Sequence, residues 1–404
     1  MARGKSTERM RGKGPDVVET LPRMGVDAPG APAACRDTLV ERARWQWRRT
    51  DGGDPAVTVQ EFLAAHGVPL DDLARPAAAH DPNGVCGAAL YVSAAAGALL
   101  AGAPTGPPDP VDLPDLVAVV YGHTRAPRPA PHAPPAGWWL GDWTPSWTPA
   151  QHADAVRSVR AAIGRGDVYQ VNLVGHAAAP CTGDPLPALA RLAGLPGARY
   201  GGVLTGPGWA IGCASPETLV EVTGARLITR PIKGTRPATT AGRADLLASA
   251  KERAEHIMIV DLERNDLARV ACTGSVRVDD LFAVRRWCDL WQAESTISAA
   301  CPDGLGLADL LRALCPGGSV TGAPKLAALD RIATLEPVGR GASMGALGWV
   351  TPGRVDLGLT IRTAAVDAQA VHVWAGGGIT WGSDPDAEVA EAAAKAAPIR
   401  AALT

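Results

Sequence analysis

No CxxC pair occurs among the eight cysteines, which stand at 35, 86, 181, 213, 272, 288, 301 and 315, and no HExxH occurs among the eight histidines. A small-domain disulfide framework and a structural zinc are thereby disfavoured, metal chemistry would have to use carboxylates, and free thiols, mostly in the core, are expected. Charge of one sign is also missing. Thirty-nine basic residues face 41 acidic ones, for a net charge of −2, so no overall basic field would attract nucleic acid or an anionic membrane. An anionic ligand would need a local site. The apolar stretch "GAALYVSAAAGALLAGA" at 87–103 is too short and too rich in Ala and Gly to span a bilayer. The basic start "MARGKSTERMRGKG" has no apolar h-region. A cytoplasmic protein is the expectation, with no solenoid repeat.

What is present is a chain of 404 residues with 47% hydrophobic side chains, enough for a large core in one α/β domain or in two or three smaller ones. Residues 1–14 read as a disordered basic tail. Residues 15–136 hold apolar runs broken by Pro and Gly, ending in the proline-rich "RAPRPAPHAPPA" (125–136), which reads as a surface loop or linker. The signals sharpen over 137–404. "TPAQHADAVRSVRAAIGRGD" predicts a helix with Thr148 as N-cap, Pro149 at its first position, Val156, Val159 and Ile163 on one face and Gly164 as the stop. "VYQVNLV" (168–174) predicts a strand carrying Gln170 and Asn172 on one face, polar for a reason or merely solvated.

"SPETLVEVTGARLITRPIKGT" (215–235) predicts a hairpin about Thr223-Gly224-Ala225. In an antiparallel register centred on 225, Glu217 lies opposite Lys233. That juxtaposition is either an ordinary cross-strand ion pair or an acid and an amine sharing one site. Two helical segments each carry a pair of glutamates three apart: Glu252 and Glu255 in "SAKERAEHIMIVDLERNDLARV", and Glu388 and Glu391 after the capping Asp384-Pro385. They are solvated faces, or, brought together, a seat for a hard oxygen-seeking cation. "PGGSVTGAPKLAALDRI" (316–332) turns into a helix near Pro324 but departs from the phosphate-loop pattern after Gly322, which disfavours a nucleotide. "HVWAGGGITWGSD" (372–384) predicts a strand leading into three glycines suited to close approach by a ligand. "GASMG" (341–345) matches GxSxG, with Asp356 or Asp367 and His372 following, but strands rather than a helix are predicted after Ser343, which disfavours a serine hydrolase.

Taken in order, "GDVYQVNL", "SPE", "RPIKGTRP", "EHIMIVDLERNDLARV", "PGGSVTGAPK", "TIRT" and "GGGITWGSDPDAEVAEAAAKA" resemble the chorismate-utilising enzymes over 137–403, and more faintly before that. Within them the likeness is to component I of aminodeoxychorismate synthase, because "PIKGT" carries lysine where anthranilate synthases have alanine. The resemblance implies an α/β (α+β) fold, a large sandwich of two antiparallel sheets flanked by helices. The implied reaction replaces the C4 hydroxyl of chorismate by an amino group and keeps the enolpyruvyl group. An anthranilate synthase component I, a 2-amino-2-deoxyisochorismate synthase and a non-catalytic binding relative are the alternatives.

By the same resemblance Lys233 is the nucleophile, its pKa lowered by burial and by Arg230 and Arg236, and Glu217 is the general acid. Glu255 and Glu391 match direct Mg²⁺ ligands, with Glu252 and Glu388 acting through metal-bound water. Arg362 matches the grip on the enolpyruvyl carboxylate, and Gly376, Gly377 and Gly378 offer N–H groups to the ring carboxylate. Thr235, Gln170 and Trp349 complete the substrate-binding set; Gln170 stands where water-using isochorismate synthases have lysine, and Trp349 where a tyrosine is frequent. Trp291 replaces a histidine tied to pyruvate elimination. No GxCxGxQ-like nucleophile segment is present, so a separate glutamine amidotransferase subunit is the implied ammonia donor.

Overall fold

The computed structural model describes residues 39–75, 84–123 and 137–404. The expected tail at 1–14, Cys35 and the proline-rich segment at 125–136 lie outside them. Every strand pairing is antiparallel. The first sheet runs in the order β1 (Leu39–Trp47), β3 (Leu116–His123), β2 (Val85–Val92), β15 (Ala346–Thr351), β16 (Arg354–Leu359), β9 (Thr218–Thr223), β10 (Arg226–Arg230), β13 (Leu290–Ala300) and β11 (Ile232–Pro237), with β12 (Arg277–Trp287) also on β13. The second runs β14 (Gly322–Ala323), β6 (Gln170–Thr182), β18 (Ala370–Ile379), β17 (Thr363–Val366), β8 (Trp209–Ser215) and β7 (Tyr200–Gly206), with β4 (Trp139–Leu140) and β5 (Thr144–Pro145) added to β6. The described helices are α1 (Pro55–Ala65), α2 (Ala94–Leu100), α3 (Pro149–Arg165), α4 (Leu186–Ala193), α5 (Thr240–Ala248), α6 (Ala250–Ala268), α7 (Leu307–Leu314), α8 (Lys325–Leu335) and α9 (Pro385–Leu403).

The main core gathers side chains of both sheets, among them Leu90, Val119, Leu347 and Leu357 from the first and Val174, Ile211 and Trp374 from the second. The expected sandwich is therefore what forms. A second cluster lies where α4 and α9 cover the second sheet, and a third where α3 and α8 pack on β6. The strands before residue 124 extend the first sheet beyond β15 rather than forming a sheet of their own.

Local chemistry explains the helix ends. Thr148 caps α3 in a box with Gln151, with Pro149 in the first turn. The predicted stop is displaced: the helix passes through Gly164 to Arg165, and Gly166 caps it at φ 85. Gly164 is small for another reason, since a Cβ there would sit 3.1 Å from the Trp381 ring. Ser249 caps α6 on the Glu252 N–H, and Asp384 caps α9 on the N–H groups of Asp386 and Ala387. The first glutamate of each pair, Glu252 and Glu388, thus stands in the first turn of a capped helix, with Glu255 and Glu391 one turn further on.

Candidate active site

The hairpin forms, but in a different register. Thr223 pairs with Arg226, Val222 with Leu227 and Glu221 with Ile228, leaving Gly224-Ala225 as a two-residue turn. Glu217 and Lys233 are not cross-strand partners. Pro231 separates β10 from β11, and β11 pairs with β13 instead, placing Lys233 opposite Ala293. The two side chains still meet by another route. The Ile232 N–H donates to Glu217 Oε1 at 3.3 Å, and a bulge between Lys233 and Thr235, opened by Gly234 at φ 75, re-aims the lysine. A Cβ on Gly234 would lie 2.8 Å from Leu246 and 3.0 Å from Glu252, so the bulge also brings the α6 carboxylate close.

Ser319, in the loop between α7 and α8, ties the pair together. Its hydroxyl donates to Glu217 Oε1 at 2.6 Å and its carbonyl accepts from Lys233 Nζ at 3.2 Å. The loop is itself clamped by buried Arg340, which forms an ion pair with Glu336 at 2.6 Å and donates to the carbonyls of Val320 and Asn172. Glu217 is 4% exposed, and burial pushes its carboxyl pKa up against the pull of Ser319 and Lys233. Lys233 keeps some exposure along its chain while its ammonium is enclosed, and burial lowers its pKa against the pull of Glu217. The neighbouring cation that adds to this lowering is Lys395. Arg230 and Arg236, expected in that role, instead pair with Glu221 and Glu252.

The three glycines do not follow a strand but belong to β18, with Gly376, Gly377 and Gly378 opposite Val174, Leu173 and Asn172. A Cβ on Gly378 would lie 2.9 Å from Gln170 Nε2 and 3.0 Å from Lys233 Nζ. One on Gly377 would meet Glu388 at 3.1 Å, Lys395 at 3.5 Å and Glu391 at 3.8 Å. The glycine strand is therefore a floor shared by the amine, the amide and the α9 carboxylates. Lys395 pairs with Glu391 at 2.6 Å and donates to the Gly376 carbonyl. Glu255 accepts from Thr380 at 2.7 Å and approaches Lys251 at 3.7 Å, and Glu252 accepts from Arg236 at 2.9 Å. Lysines 395 and 233 hold the Glu391 pKa down, whereas burial raises that of Glu388. Among the described residues, no three His, Cys, Asp or Glu side chains already close around a metal-sized point.

Arg362, left-handed at φ 53 and 7% exposed, stacks its guanidinium 4.7 Å over the Trp287 ring. Its Nε finds no hydrogen-bond partner, nor do Gln170 Nε2 and Asn172 Oδ1. Burial lowers its pKa to about 10, and it senses Glu391 and Glu217. Orphaned polar atoms in a buried site are costly, so this set suits a polar, anionic ligand. Gln170 and Asn172 are thus not a solvated strand face: they are 1% and 6% exposed.

Other sequence expectations land elsewhere. Trp349 stands in the main core with its ring 5.7 Å from that of Tyr121, a packing position, because Gly87 leaves room for the indole. The Trp291 indole donates to the Thr239 carbonyl and packs on Leu246 and Phe282. Thr235 follows the bulge, opposite Gln292. Ser343 is fully buried with its hydroxyl on the Thr360 carbonyl, and His372 pairs with His176, so no hydrolase triad assembles. Sequence reasoning missed Ser319, Lys395 and His256. His256 is buried beside Lys233, bonds to Ser295 at 2.5 Å, and has its pKa lowered to about 4 by burial; its place one residue after Glu255 was the available signal.

Residues 106–401 match the model of the chorismate binding enzyme family. The chain is 41% identical over 248 residues to aminodeoxychorismate synthase component 1 of Salmonella typhimurium, covering 60% of this chain and 55% of the relative. It is 38% identical over 285 residues to anthranilate synthase component 1 of Streptomyces coelicolor, covering 69% and 55%. The aligned part thus spans about half the length of these relatives. Anthranilate synthase component I from Streptococcus pneumoniae superposes with a TM-score of 0.74 at 25% identity, covering 97% of this chain and 95% of that one. No described helix is long and apolar enough to cross a membrane. The match over most of the chain, on this sandwich and around this site, places the protein in the chorismate binding enzyme family.

Proposed function

We propose that the chain is the chorismate-aminating component of an aminodeoxychorismate synthase, converting chorismate and ammonia to 4-amino-4-deoxychorismate and water. The observation that carries the reading is the enclosed Lys233 amine beside the enclosed Glu217 carboxyl, each environment favouring its neutral form. The neutral amine attacks C2 as Glu217 gives its proton to the departing C4 hydroxyl, which leaves as water. Ammonia then attacks C4, the double bond shifts back, and the Lys233 nitrogen is released from C2. One proton of the added nitrogen returns to Glu217. Arg362, with its unsatisfied Nε, receives the enolpyruvyl carboxylate.

The four glutamates fit Mg²⁺ by donor type, and Glu388, raised by burial and by the neighbouring Glu391, has no ammonium among the described residues paired with it as Glu391 has Lys395. Glu255 and Glu391 would hold it, with Glu252 and Glu388 behind them, and the ion would supply positive charge for the ring carboxylate. Ammonia would come from a glutamine amidotransferase partner, a reading supported by the "component 1" in the relatives' names.

The test is mass spectrometry of the products from chorismate, Mg²⁺ and ammonium, with wild type and Lys233→Ala. The expected product is 4-amino-4-deoxychorismate, lost in the variant by at least about 10³-fold. Without ammonia, wild type should carry a chorismate-derived mass on the Lys233 peptide. Anthranilate as the wild-type product would favour the anthranilate synthase alternative, and wild-type rates from the variant would reduce Lys233 to an ion-pair partner.

A further inference from the structure

Behind the proposed acid lies a second group of buried charges to which that mechanism gives no task. Glu263, on α6, accepts from the Ser319 N–H at 3.2 Å and from the Thr229 hydroxyl at 3.4 Å. It is 4% exposed. Ser319 is thus held by one carboxyl at its N–H while its hydroxyl holds another, Glu217. One turn further along α6, Asp266 pairs with Lys325 of α8 at 2.6 Å, both nearly buried. The charged groups facing Glu263 are Asp266 on its own helix, Lys325 at the start of α8 and Glu217 on the far side of Ser319; Arg269 acts on Asp266.

Cations stand beside two of the three buried carboxyls, Lys233 and Arg362 beside Glu217 and Lys325 and Arg269 beside Asp266, whereas Glu263 is held by the Ser319 N–H and the Thr229 hydroxyl. Moving a proton from the Lys233 ammonium to the Glu217 carboxylate changes no net charge, and it converts two charged groups joined through Ser319 into the neutral amine and neutral acid that the reaction needs. A negative charge at Glu263 acts mainly on Glu217, because the two carboxyls meet on the N–H and the hydroxyl of Ser319, whereas Lys233 is bonded to that residue's carbonyl. It therefore disfavours the carboxylate form of Glu217 more than it favours the ammonium of Lys233.

We propose that Glu263 is a positioning residue for the Glu217–Lys233 pair: it fixes Ser319 through the backbone, and its negative charge drives the pair's proton from Lys233 onto Glu217. This rests on the proposed roles of those two residues. Burial, and next the charge of Asp266, push the Glu263 pKa up to about 7, so the charge appears across the neutral range. Activity is lower below that pH and higher above it.

The experiment follows chorismate consumption from pH 6 to 8.5 at saturating Mg²⁺ and constant free ammonia for wild type, Glu263→Gln and Glu263→Asp. Wild type should rise about tenfold through a step near neutral, a coupling of about one pKa unit. Glu263→Gln should be flat, about tenfold slower at pH 8 and within about twofold at pH 6, while Glu263→Asp keeps a step. A wild-type profile without the step, a step that survives in Glu263→Gln, or a loss equal at every pH would overturn the proposal. Should Glu263→Gln not fold, the wild-type and Glu263→Asp profiles decide: both must show the step. Product identity is read from the same samples. A different product would reject the aminodeoxychorismate reading together with the task given to Lys233, whereas the expected product without the step would reject the Glu263 inference alone.

Discussion

Adding one methyl group to each of the three glycines of β18 should separate the fold from the chemistry. At Gly376 the new Cβ would lie 1.9 Å from the Leu173 carbonyl oxygen and 2.7 Å from the Val174 Cα. Backbone atoms of the central β6–β18 ladder cannot step aside, so Gly376→Ala should cost about 3 kcal/mol or more and lower Tm by several degrees. At Gly378 the nearest atoms are the ends of two flexible side chains, Gln170 Nε2 at 2.9 Å and Lys233 Nζ at 3.0 Å. They can withdraw by a few tenths of an ångström, so stability should stay within about 1 kcal/mol, helped by the stiffer unfolded chain. The withdrawal moves the proposed nucleophile, and misplacement on the ångström scale costs about 10²-fold in rate. Gly378→Ala should therefore lose about 10- to 100-fold in kcat at nearly unchanged Tm. Gly377→Ala, 3.1 Å from Glu388, should instead raise the Mg²⁺ concentration needed for half-maximal rate. Thermal melts and steady-state chorismate consumption on the three variants are the assay. Equal loss of stability at 376 and 378, or a wild-type rate from Gly378→Ala, would refute the placement of Lys233 over this strand.

Arg340→Met leaves Glu336 buried without its partner and frees the carbonyls of Val320 and Asn172. It should cost about 3–5 kcal/mol by denaturant unfolding, with part regained on adding Glu336→Leu; a loss under about 1 kcal/mol would show that the clamp is dispensable. Acid should destabilise the protein through two buried histidines, since burial holds His256 at about 4 and His176 at about 3. Below the ordinary value of 6.5 the unfolded chain takes up protons that these folded rings refuse, so their contribution is full above 6.5 and lost as pH falls toward those values. Urea midpoints should decline between pH 7 and 4.5, and less steeply in His256→Asn; identical slopes would refute the argument.

Much of the fold is legible because its signals are local. Thr148-Pro149 and Asp384-Pro385 announce helices through the orphan N–H groups that they satisfy, and alternation in 170–174 announces a strand. The register of the 215–235 segment was not legible. Its symmetric pattern suggested one long hairpin, whereas β11 leaves β9 for β13, more than fifty residues further on. Nothing within 215–235 encodes that exchange except Pro231, which cannot donate to a ladder, and Gly234, which makes the bulge. The acid and amine were expected together for a reason that proved wrong, and they meet because Ile232 and Ser319 carry them there.

Lys395, which motif reading passed over, has a property visible in the composition. The chain has six lysines against 33 arginines, so its surface cations are almost all guanidiniums. A lysine retained against that bias is where a guanidinium would not serve: a compact ammonium that fits a small space, or an amine able to lose its proton. Four of the six lie in the described residues, and each meets the site or the charges behind it. Lys233 bonds to Ser319, Lys251 approaches Glu255, Lys325 pairs with Asp266, and Lys395 pairs with Glu391. The exposed helix pairs, by contrast, use arginine, as in Arg157–Asp154 and Arg264–Asp261. Scarcity of one residue type thus points to Lys325 and Lys395 as readily as the motif points to Lys233, and it does so without knowledge of which strands are neighbours. Exchange of Lys395 for arginine should accordingly be costly, because a forked guanidinium cannot satisfy both Glu391 and the Gly376 carbonyl in the space that one nitrogen now fills.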